Sequence, residues 1–284
     1  MDRLSGFSGN YSKMNPRLFP RQTPDAEVQN LPGGWRLSIP AGPANAYRLA
    51  QLDDYQRLPR RHFAWQPPMN ITLRARASAP NLPGTWGFGL WNDPFGISLG
   101  FGGHPFRLPC LPNTAWFFHA SPENHLSFHN DQPAQGFLAQ VFRSARWPSW
   151  GLIPALIGTP LLVIRSLSRL ARRIASILIR EQAVTCGTSR SARDLSEPIS
   201  LDVTQWHRYS LEWSPSRIVF GIDDTPLLVT SIVPQPPLGL VIWIDNQYAA
   251  WHPDGRFKFG VLENPAAWIE IEDLLVKGSN PPTG

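Results

Sequence analysis

Three side chains of this sequence combine acid–base chemistry with a position beside an aromatic or apolar run. Asp245 follows the apolar run 239–244, where an unpaired carboxylate is costly to bury. Asp93 follows a Trp-rich run, and His119 ends an aromatic run, where an imidazole can exchange a proton near neutral pH. We interpret Asp245, Asp93 and His119 as candidate catalytic residues, with a turn-forming role together with Asn246 as an equal alternative for Asp245.

Tryptophan is unusually frequent, at 12 of 284 residues, and several of these residues lie near the candidate acids. Indole rings pack against the apolar faces of sugars and of other hydrophobic ligands. A place in the hydrophobic core is an equally good interpretation for any one of them. The predicted ligand-binding residues are Trp86, Trp91, Asn92, Trp116, Trp243, Asn246, Tyr248 and Trp251.

The histidines and cysteines do not have the spacing of a metal site. Four of the seven histidines fall within residues 104–129, but this segment has the pattern of strands and loops, without helical metal-ligand spacing. Cys110 and Cys186 are far apart in the sequence, and two cysteines do not make a disulfide framework. We predict neither a metal nor a cofactor.

Short strands must position these residues. In the segment 70–77, Ile71, Leu73 and Ala75 alternate with polar residues, and this period of two indicates a strand with one buried face. The segments 206–213 and 217–222 flank a Ser-Pro-Ser turn and predict a hairpin. Further strands are predicted at 35–39, 85–91, 97–101, 115–120, 125–129, 239–245 and 267–276, most of them ended by Pro, Gly or Asn. Residues 1–30 predict a flexible arm, and 31–280 a single β-sandwich domain.

A helical insertion at 148–182 interrupts this pattern. Apolar residues recur at helical spacing, with arginines on the other face, which predicts an amphipathic helix. The apolar run before it is shorter and more broken than the roughly 20 residues that span a bilayer. The stripe must be buried against the protein's own body, a membrane surface or an oligomer partner, and the sequence leaves the three open. Its residues are Val163, Ile164, Leu167, Leu170, Ala171, Ile174, Ile177 and Leu178.

Charge is concentrated in one part of the chain. The net charge is +5, but residues 143–195 contain nine arginines and only two acids, so the rest of the chain is slightly acidic. A nucleic-acid-binding body would show a basic face across the fold, so we predict no nucleic-acid partner. The first residues lack an apolar signal core, from which we expect a cytoplasmic protein, membrane-associated if residues 150–181 contact a bilayer.

Three stretches carry a family resemblance. WHRYSLEWSPSRIVFGID at 206–223 resembles a signature of family-16 glycoside hydrolases, the laminarinase and lichenase group. GTWGFGLW at 84–91 is similar to a strand of that family, and WIEIEDLLV at 268–276 is similar to its closing strand. The resemblance covers 30–280 outside the insertion. It implies an all-β concanavalin-like jelly roll, with a ligand cleft on the concave face formed by strands such as 84–91 and 115–120.

The catalytic motif of that family is missing. The resemblance implies Glu-x-Asp-x-Glu or Glu-x-Asp-x-x-Glu on the strand after the Trp-rich strand, with one carboxylate as nucleophile and the other as acid/base. Neither 97–101 nor 115–120 contains an acid. Glu270-Ile271-Glu272-Asp273 lies on the closing strand, where the family has a structural acid. The sequence therefore argues against a standard retaining glycosidase.

Three functions remain as hypotheses. The first is a carbohydrate-binding or atypical carbohydrate-active protein with an aromatic cleft and a glycan partner. The second is a non-glycosidase enzyme that acts on a small hydrophobic or lipid-like molecule by acid–base chemistry under a helical lid. The third is a structural protein held at a membrane surface by 150–181, and oligomerisation is left open. An open, polar-rimmed cleft favours the first, a closed apolar cleft the second, and an outward-facing helix stripe the third.

Overall fold

The computed structural model describes residues 12–14, 16–94, 107–145, 164–186 and 201–278. Within them the chain forms seventeen strands and one α-helix, α1 (Arg165–Leu178). The predicted strand 97–101 lies outside the described residues. In chain order the strands are β1 (Ser12–Met14), β2 (Phe19–Gln22), β3 (Glu27–Leu31), β4 (Gly34–Ile39), β5 (Leu49–Asp53), β6 (Met69–Ala77), β7 (Thr85–Trp91), β8 (Thr114–Ala120), β9 (Gly136–Ser144), β10 (Ile179–Thr185), β11 (His207–Trp213), β12 (Ile218–Ile222), β13 (Thr225–Thr230), β14 (Gly239–Asp245), β15 (Gln247–Trp251), β16 (Phe257–Val261) and β17 (Ala267–Gly278).

Two antiparallel sheets and one hairpin contain all of these strands. The first sheet has the order β13-β12-β11-β6-β17-β4-β3, with β1 added on β17. The second sheet has the order β10-β9-β8-β7-β14-β5-β2, and β15 pairs with β16 alone. The expected all-β sandwich jelly roll is confirmed, and the predicted hairpin of 206–222 is the β11–β12 pair.

The core lies between the two sheets because each inner strand buries alternate residues. In β6 every second residue from Met69 to Ala77 is buried, as the alternation of the sequence predicts. Phe117 of the second sheet meets Tyr209 and Phe220 of the first sheet edge-on, at ring-centre distances of 5.0 and 5.1 Å. On the outside of the first sheet, Glu270 pairs with Arg36 and Arg76 at 2.6 and 2.7 Å. This pairing agrees with a structural role for that acid.

Two local predictions differ from the structure. Residues 16–30 are not an arm: β2 pairs with β5 and β3 with β4, because the sheet edges offer unpaired backbone groups even to a polar segment. The segment 125–129 is not a strand beyond a single bridge at His125. There the Ser127 hydroxyl accepts a hydrogen bond from the backbone N–H of His129 at 3.1 Å, a local turn that competes with strand pairing.

Candidate functional site

A layer of aromatic rings covers the outer face of the second sheet, which we call the ligand face. Trp116 lies 5.3 Å from Phe118 and 5.4 Å from Trp243 between ring centres, and Trp91 stacks on Trp243 with an angle of 5° between the planes. These rings come from β7, β8 and β14, the three central strands of the sheet. The structure thus brings together three of the predicted ligand-binding tryptophans.

Two glycines of β7 make room for this layer. A Cβ atom at Gly87 would lie 2.9 Å from Cη2 of Trp243, and one at Gly89 would lie 2.7 Å from Cβ of Trp116. Both glycines alternate with the buried inner residues of β7, so they point to the ligand face. The sequence W-G-F-G-L-W therefore allows large rings from the neighbouring strands to lie across β7.

Asp245 anchors a polar network at one end of the ligand face. Its Oδ1 accepts hydrogen bonds from the Thr85 hydroxyl at 2.7 Å and from the Gln247 N–H at 3.3 Å, and its Oδ2 accepts one from the Tyr47 hydroxyl at 3.2 Å. The indole N–H of Trp243 donates to the same Thr85 hydroxyl. Burial raises the pKa of Asp245 to about 6, although these hydrogen bonds lower it. The bond to Gln247 N–H is of the turn-forming kind, so a turn role and a place on the ligand face coexist.

A second carboxylate lies on the same face, on β5. Asp53 accepts hydrogen bonds from Gln51 Nε2 at 2.8 Å and from the Tyr55 N–H at 3.2 Å, and burial raises its pKa. The hydroxyl of Tyr55 in turn accepts a hydrogen bond from the indole N–H of Trp91 at 2.5 Å. Hydrogen bonds through Asp53 and Tyr55 therefore connect the aromatic layer, at Trp91, to β5.

The two carboxylates are too far apart for the glycosidase mechanism. Asp53 pairs with Val241, whereas Asp245 pairs with Leu49, so four residues of strand separate them. At roughly 3.3 Å per residue, their Cα atoms are about 13 Å apart along the strands. Both side chains stand on the same face, so their carboxyl groups are separated by a similar distance. Glycosidase carboxyl groups lie about 5 to 9.5 Å apart. These two acids cannot divide the roles of nucleophile and acid/base across one bond.

A third acid, Glu181 of β10, lies at the opposite edge of the ligand face. Gln140 accepts the indole N–H of Trp116 at 3.0 Å and donates to Glu181 at 3.0 Å. The other oxygen of Glu181 accepts the Phe128 N–H at 2.8 Å, and burial raises the pKa of this carboxyl. Sequence reasoning missed Glu181, because it lies within the arginine-rich insertion and has no neighbouring aromatic residue to mark it.

Trp86 and His119 point away from the ligand face. Both lie between the two sheets, where their rings stack at 5.7 Å, and Trp86 also stacks on Phe137 at 4.8 Å. Burial lowers the pKa of His119 to about 4, so this side chain is neutral near pH 7. A ligand on the outer face of the sheet does not reach either residue.

Three more predicted site residues fix loops. Asp93 forms a buried ion pair with Arg107. Asn92 donates to the Leu111 carbonyl at 2.9 Å and accepts the Asn113 N–H at 2.9 Å. The last is Asn246, which is fully buried. Its Oδ1 accepts a hydrogen bond from the backbone N–H of Arg48. Its amide N–H groups donate to the carbonyls of Ala46 and Leu262.

The remaining two predicted residues, Tyr248 and Trp251, belong to the β15–β16 hairpin. Both are half-buried. The indole N–H of Trp251 donates to the Ser168 hydroxyl of α1 at 2.9 Å, and its ring meets Phe128 edge-on at 6.3 Å. Trp251 therefore attaches the helix to the hairpin.

Loops and α1 cover one half of the ligand face. Apolar residues from the segments 55–63, 111–128 and 175–178 pack on the aromatic layer and complete a second apolar cluster there. The β8–β9–β10 half is closed by this cluster, which includes Leu126, Phe128, Ala175 and Leu178. Half-buried aromatic rings remain in the other part of the face, namely Phe19 of β2, Tyr47 shortly before β5 and Trp91 of β7.

Helix α1 packs with polar residues inward. Ser168 and Arg172 are its buried residues. Arg172 donates to the carbonyls of Ser127 and Trp251 at 2.6 and 2.7 Å. Its apolar stripe faces solvent, with Ile174 50% and Ile177 77% exposed. Within the described residues, Leu178 at the end of the stripe packs on the protein's own body, whereas Leu167, Leu170, Ile174 and Ile177 are exposed.

Removal of the Arg172 guanidinium should loosen this attachment. We expect Arg172→Ala to lower the free energy of unfolding by about 2 kcal/mol, because two carbonyls lose a charged donor. The neighbouring Arg173 is exposed, so Arg173→Ala serves as the matched control and should leave stability unchanged. Urea denaturation of both variants measures the difference, and equal values for the two would contradict the inward role of Arg172.

Among the residues that the structure describes, no group of three or more His, Cys, Asp or Glu side chains converges as metal ligands do. Nor does any helix in this part of the chain have the length and hydrophobicity needed to cross a bilayer.

Comparisons with known proteins agree with the resemblance to family-16 glycoside hydrolases. No protein-family model matches the chain. Xyloglucan endotransglucosylase/hydrolase protein 29 of Arabidopsis thaliana is 31% identical over 86 residues, which cover 27% of this chain. The match spans 23% of that relative's length.

Three solved structures illustrate what the chain is similar to at the level of structure. A LamA variant from Z. galactanivorans with bound laminaritriose and laminaritetraose has a TM-score of 0.46 at 14% identity, over 95% of each chain. The laminarinase catalytic domain of Thermotoga maritima has a TM-score of 0.44 at 12% identity, over 91% of this chain and 82% of its own. A family-16 endo-glucanase of Bacteroides ovatus has a TM-score of 0.41 at 8% identity, over 91% and 93%.

Proposed function

We propose that this protein binds a carbohydrate on the uncovered β7–β14–β5–β2 part of the ligand face and does not hydrolyse it by the retaining mechanism. The observation that carries the proposal is the set of half-buried rings of Phe19, Tyr47 and Trp91 on the uncovered part of this face. Aromatic faces stack on sugar rings. The separation of about 13 Å between the two acids supports binding without glycosidase chemistry.

Calorimetry with β-1,3-glucan, mixed-linkage glucan and xyloglucan oligosaccharides tests this proposal. We expect Trp91→Ala to weaken binding about tenfold, because one stacking face is lost. Trp268→Ala is the matched control, since Trp268 is a half-buried tryptophan of the first sheet, where it lies against Arg36. The control should bind as well as the parent protein.

Two results would contradict the proposal. One is the absence of binding to all three oligosaccharides by the folded protein. The other is the release of new reducing ends from any of them at a rate that depends on Asp53 or Asp245, which would indicate a glycosidase. Because Trp91 also bonds to Tyr55, thermal unfolding of Trp91→Ala must show that the variant is folded.

A second candidate function is acid–base catalysis on a small apolar molecule. It is favoured by the Asp245–Tyr47 pair, since a carboxyl with a pKa of about 6 can take up and release a proton near neutral pH. The covered β8–β9–β10 half of the ligand face also agrees with an apolar binding region. Extraction of purified protein with organic solvent and mass spectrometry of the extract distinguishes this candidate, because it predicts a co-purified apolar molecule.

A further inference from the structure

The apolar stripe of α1 forms an exposed surface that the carbohydrate proposal does not use. Leu167, Leu170, Ile174 and Ile177 are 42%, 55%, 50% and 77% exposed. They recur at helical spacing and share one side of the helix. The opposite side attaches the helix to the body through Ser168 and Arg172, so the stripe is held in place rather than free to turn inward.

A basic recess borders this stripe. Its cavity volume is about 580 Å³, and its lining includes three arginines of α1, Arg169, Arg172 and Arg173, together with His129 and with Leu170 of the stripe. Among the residues that the structure describes, no acidic one lines the recess, and α1 itself contains four arginines and no acid. Within the described residues, neither Arg169 nor Arg173 forms an ion pair.

We propose that α1 docks on an anionic phospholipid surface, with the stripe among the acyl chains and the recess against the headgroup phosphates. A helix that lies in a bilayer interface needs an apolar side, a cationic flank and a fixed orientation relative to its domain. Leu170 belongs to both the stripe and the recess, so apolar and cationic surfaces meet without a gap. The docking does not use the uncovered part of the ligand face, where we propose carbohydrate binding, because α1 lies over the β8–β9–β10 half.

The charge of the helix region favours an anionic lipid surface over a second copy of the chain as the binding partner. Residues 143–195 carry a net charge of +7, and the rest of the chain is slightly acidic. A second copy of the chain would place arginines of one helix against those of the other at a two-fold contact, which is unfavourable. Anionic lipid headgroups neutralise the same arginines, at roughly 1 kcal/mol for each one near the surface.

Vesicle flotation of the full chain tests the proposal. We expect the protein to float with phosphatidylcholine vesicles that contain about one-third phosphatidylglycerol, and not with pure phosphatidylcholine vesicles. Leu170→Ser/Ile174→Ser should weaken binding about tenfold or more through lost apolar burial. Arg169→Gln/Arg173→Gln should weaken it roughly thirtyfold at low salt. Val229→Ser, at an apolar residue of the first sheet that is 57% exposed, is the control and should bind normally.

Four outcomes would overturn the proposal. They are the absence of flotation with the anionic vesicles, equal flotation with both kinds of vesicle, and equal binding by the stripe variant and Val229→Ser. The fourth is a melting temperature of Leu170→Ser/Ile174→Ser well below that of Val229→Ser, since this would mean that the chain or a second copy covers the stripe. Light scattering of the parent protein and of the stripe variant then separates those two cases.

Discussion

Replacement of Arg107 by methionine should lower the free energy of unfolding by about 3 to 5 kcal/mol, because it leaves a buried carboxylate without its counter-charge. Arg107 pairs with Asp93, and both side chains are almost completely buried. The guanidinium also donates to the carbonyls of Tyr55 and Leu58 at 2.6 and 2.5 Å. One side chain thus joins the end of β7 to the loop that covers the ligand face, and denaturant unfolding measures its contribution.

A double-mutant cycle separates the ion pair from the other contacts of Arg107. Asp93 has a φ of +46°, which asparagine tolerates as well as aspartate does, so Asp93→Asn removes the charge without new backbone strain. We expect Asp93→Asn to recover roughly half of the loss in Arg107→Met. Arg208→Met, which removes an exposed pair with Asp224, should cause no measurable change. Additive effects of the Arg107 and Asp93 substitutions would show that the buried charges do not stabilise each other.

Strand periodicity predicts most of the fold. It also determines which of the candidate site residues share one face of a strand. Trp86 and Trp91 are five residues apart on one strand, and Trp116 and His119 are three apart on another. An odd separation places side chains on opposite faces of a strand. Trp86 and Trp91 could therefore not both line one face. Gly87 and Gly89 between them show which face is covered by rings from the neighbouring strands.

The sequence does not show which side of α1 faces the body of the protein. Helical periodicity shows that arginines and apolar residues lie on different sides, but it does not show which side meets the body. That choice depends on the carbonyls of Ser127 and Trp251, which are 45 and 79 residues away from Arg172 and need a strong donor. The closure of the β8–β9–β10 half of the ligand face is likewise set by distant loops, which no local pattern encodes.

Asp245→Asn should change stability in a way that depends on pH. Burial raises the pKa of Asp245 to about 6, above its ordinary value, so folding favours the protonated form. The stability that this group contributes is complete below about pH 4 and is lost as pH rises through 6, by roughly 3 kcal/mol in all. Asparagine does not ionise, its oxygen can still accept the Thr85 hydroxyl, and its amide can donate to the Tyr47 oxygen. We therefore expect the variant to gain stability over the parent protein, by roughly 2 kcal/mol more at pH 7.5 than at pH 4.5.

Urea denaturation at about pH 4.5 and about pH 7.5 measures this change, and Asp223→Asn provides a control whose effect should be nearly the same at both pH values. Partial burial alone would raise the pKa of Asp223, but hydrogen bonds from His207 and from the Arg208 N–H lower it. That carboxylate stabilises the fold above about pH 4, and its contribution is lost only as pH falls below that, so Asp223→Asn should be about equally destabilising at both pH values. If Asp245→Asn gave the same stability difference at both pH values, the carboxyl would not titrate in the folded protein, and its candidacy as an acid–base group would end.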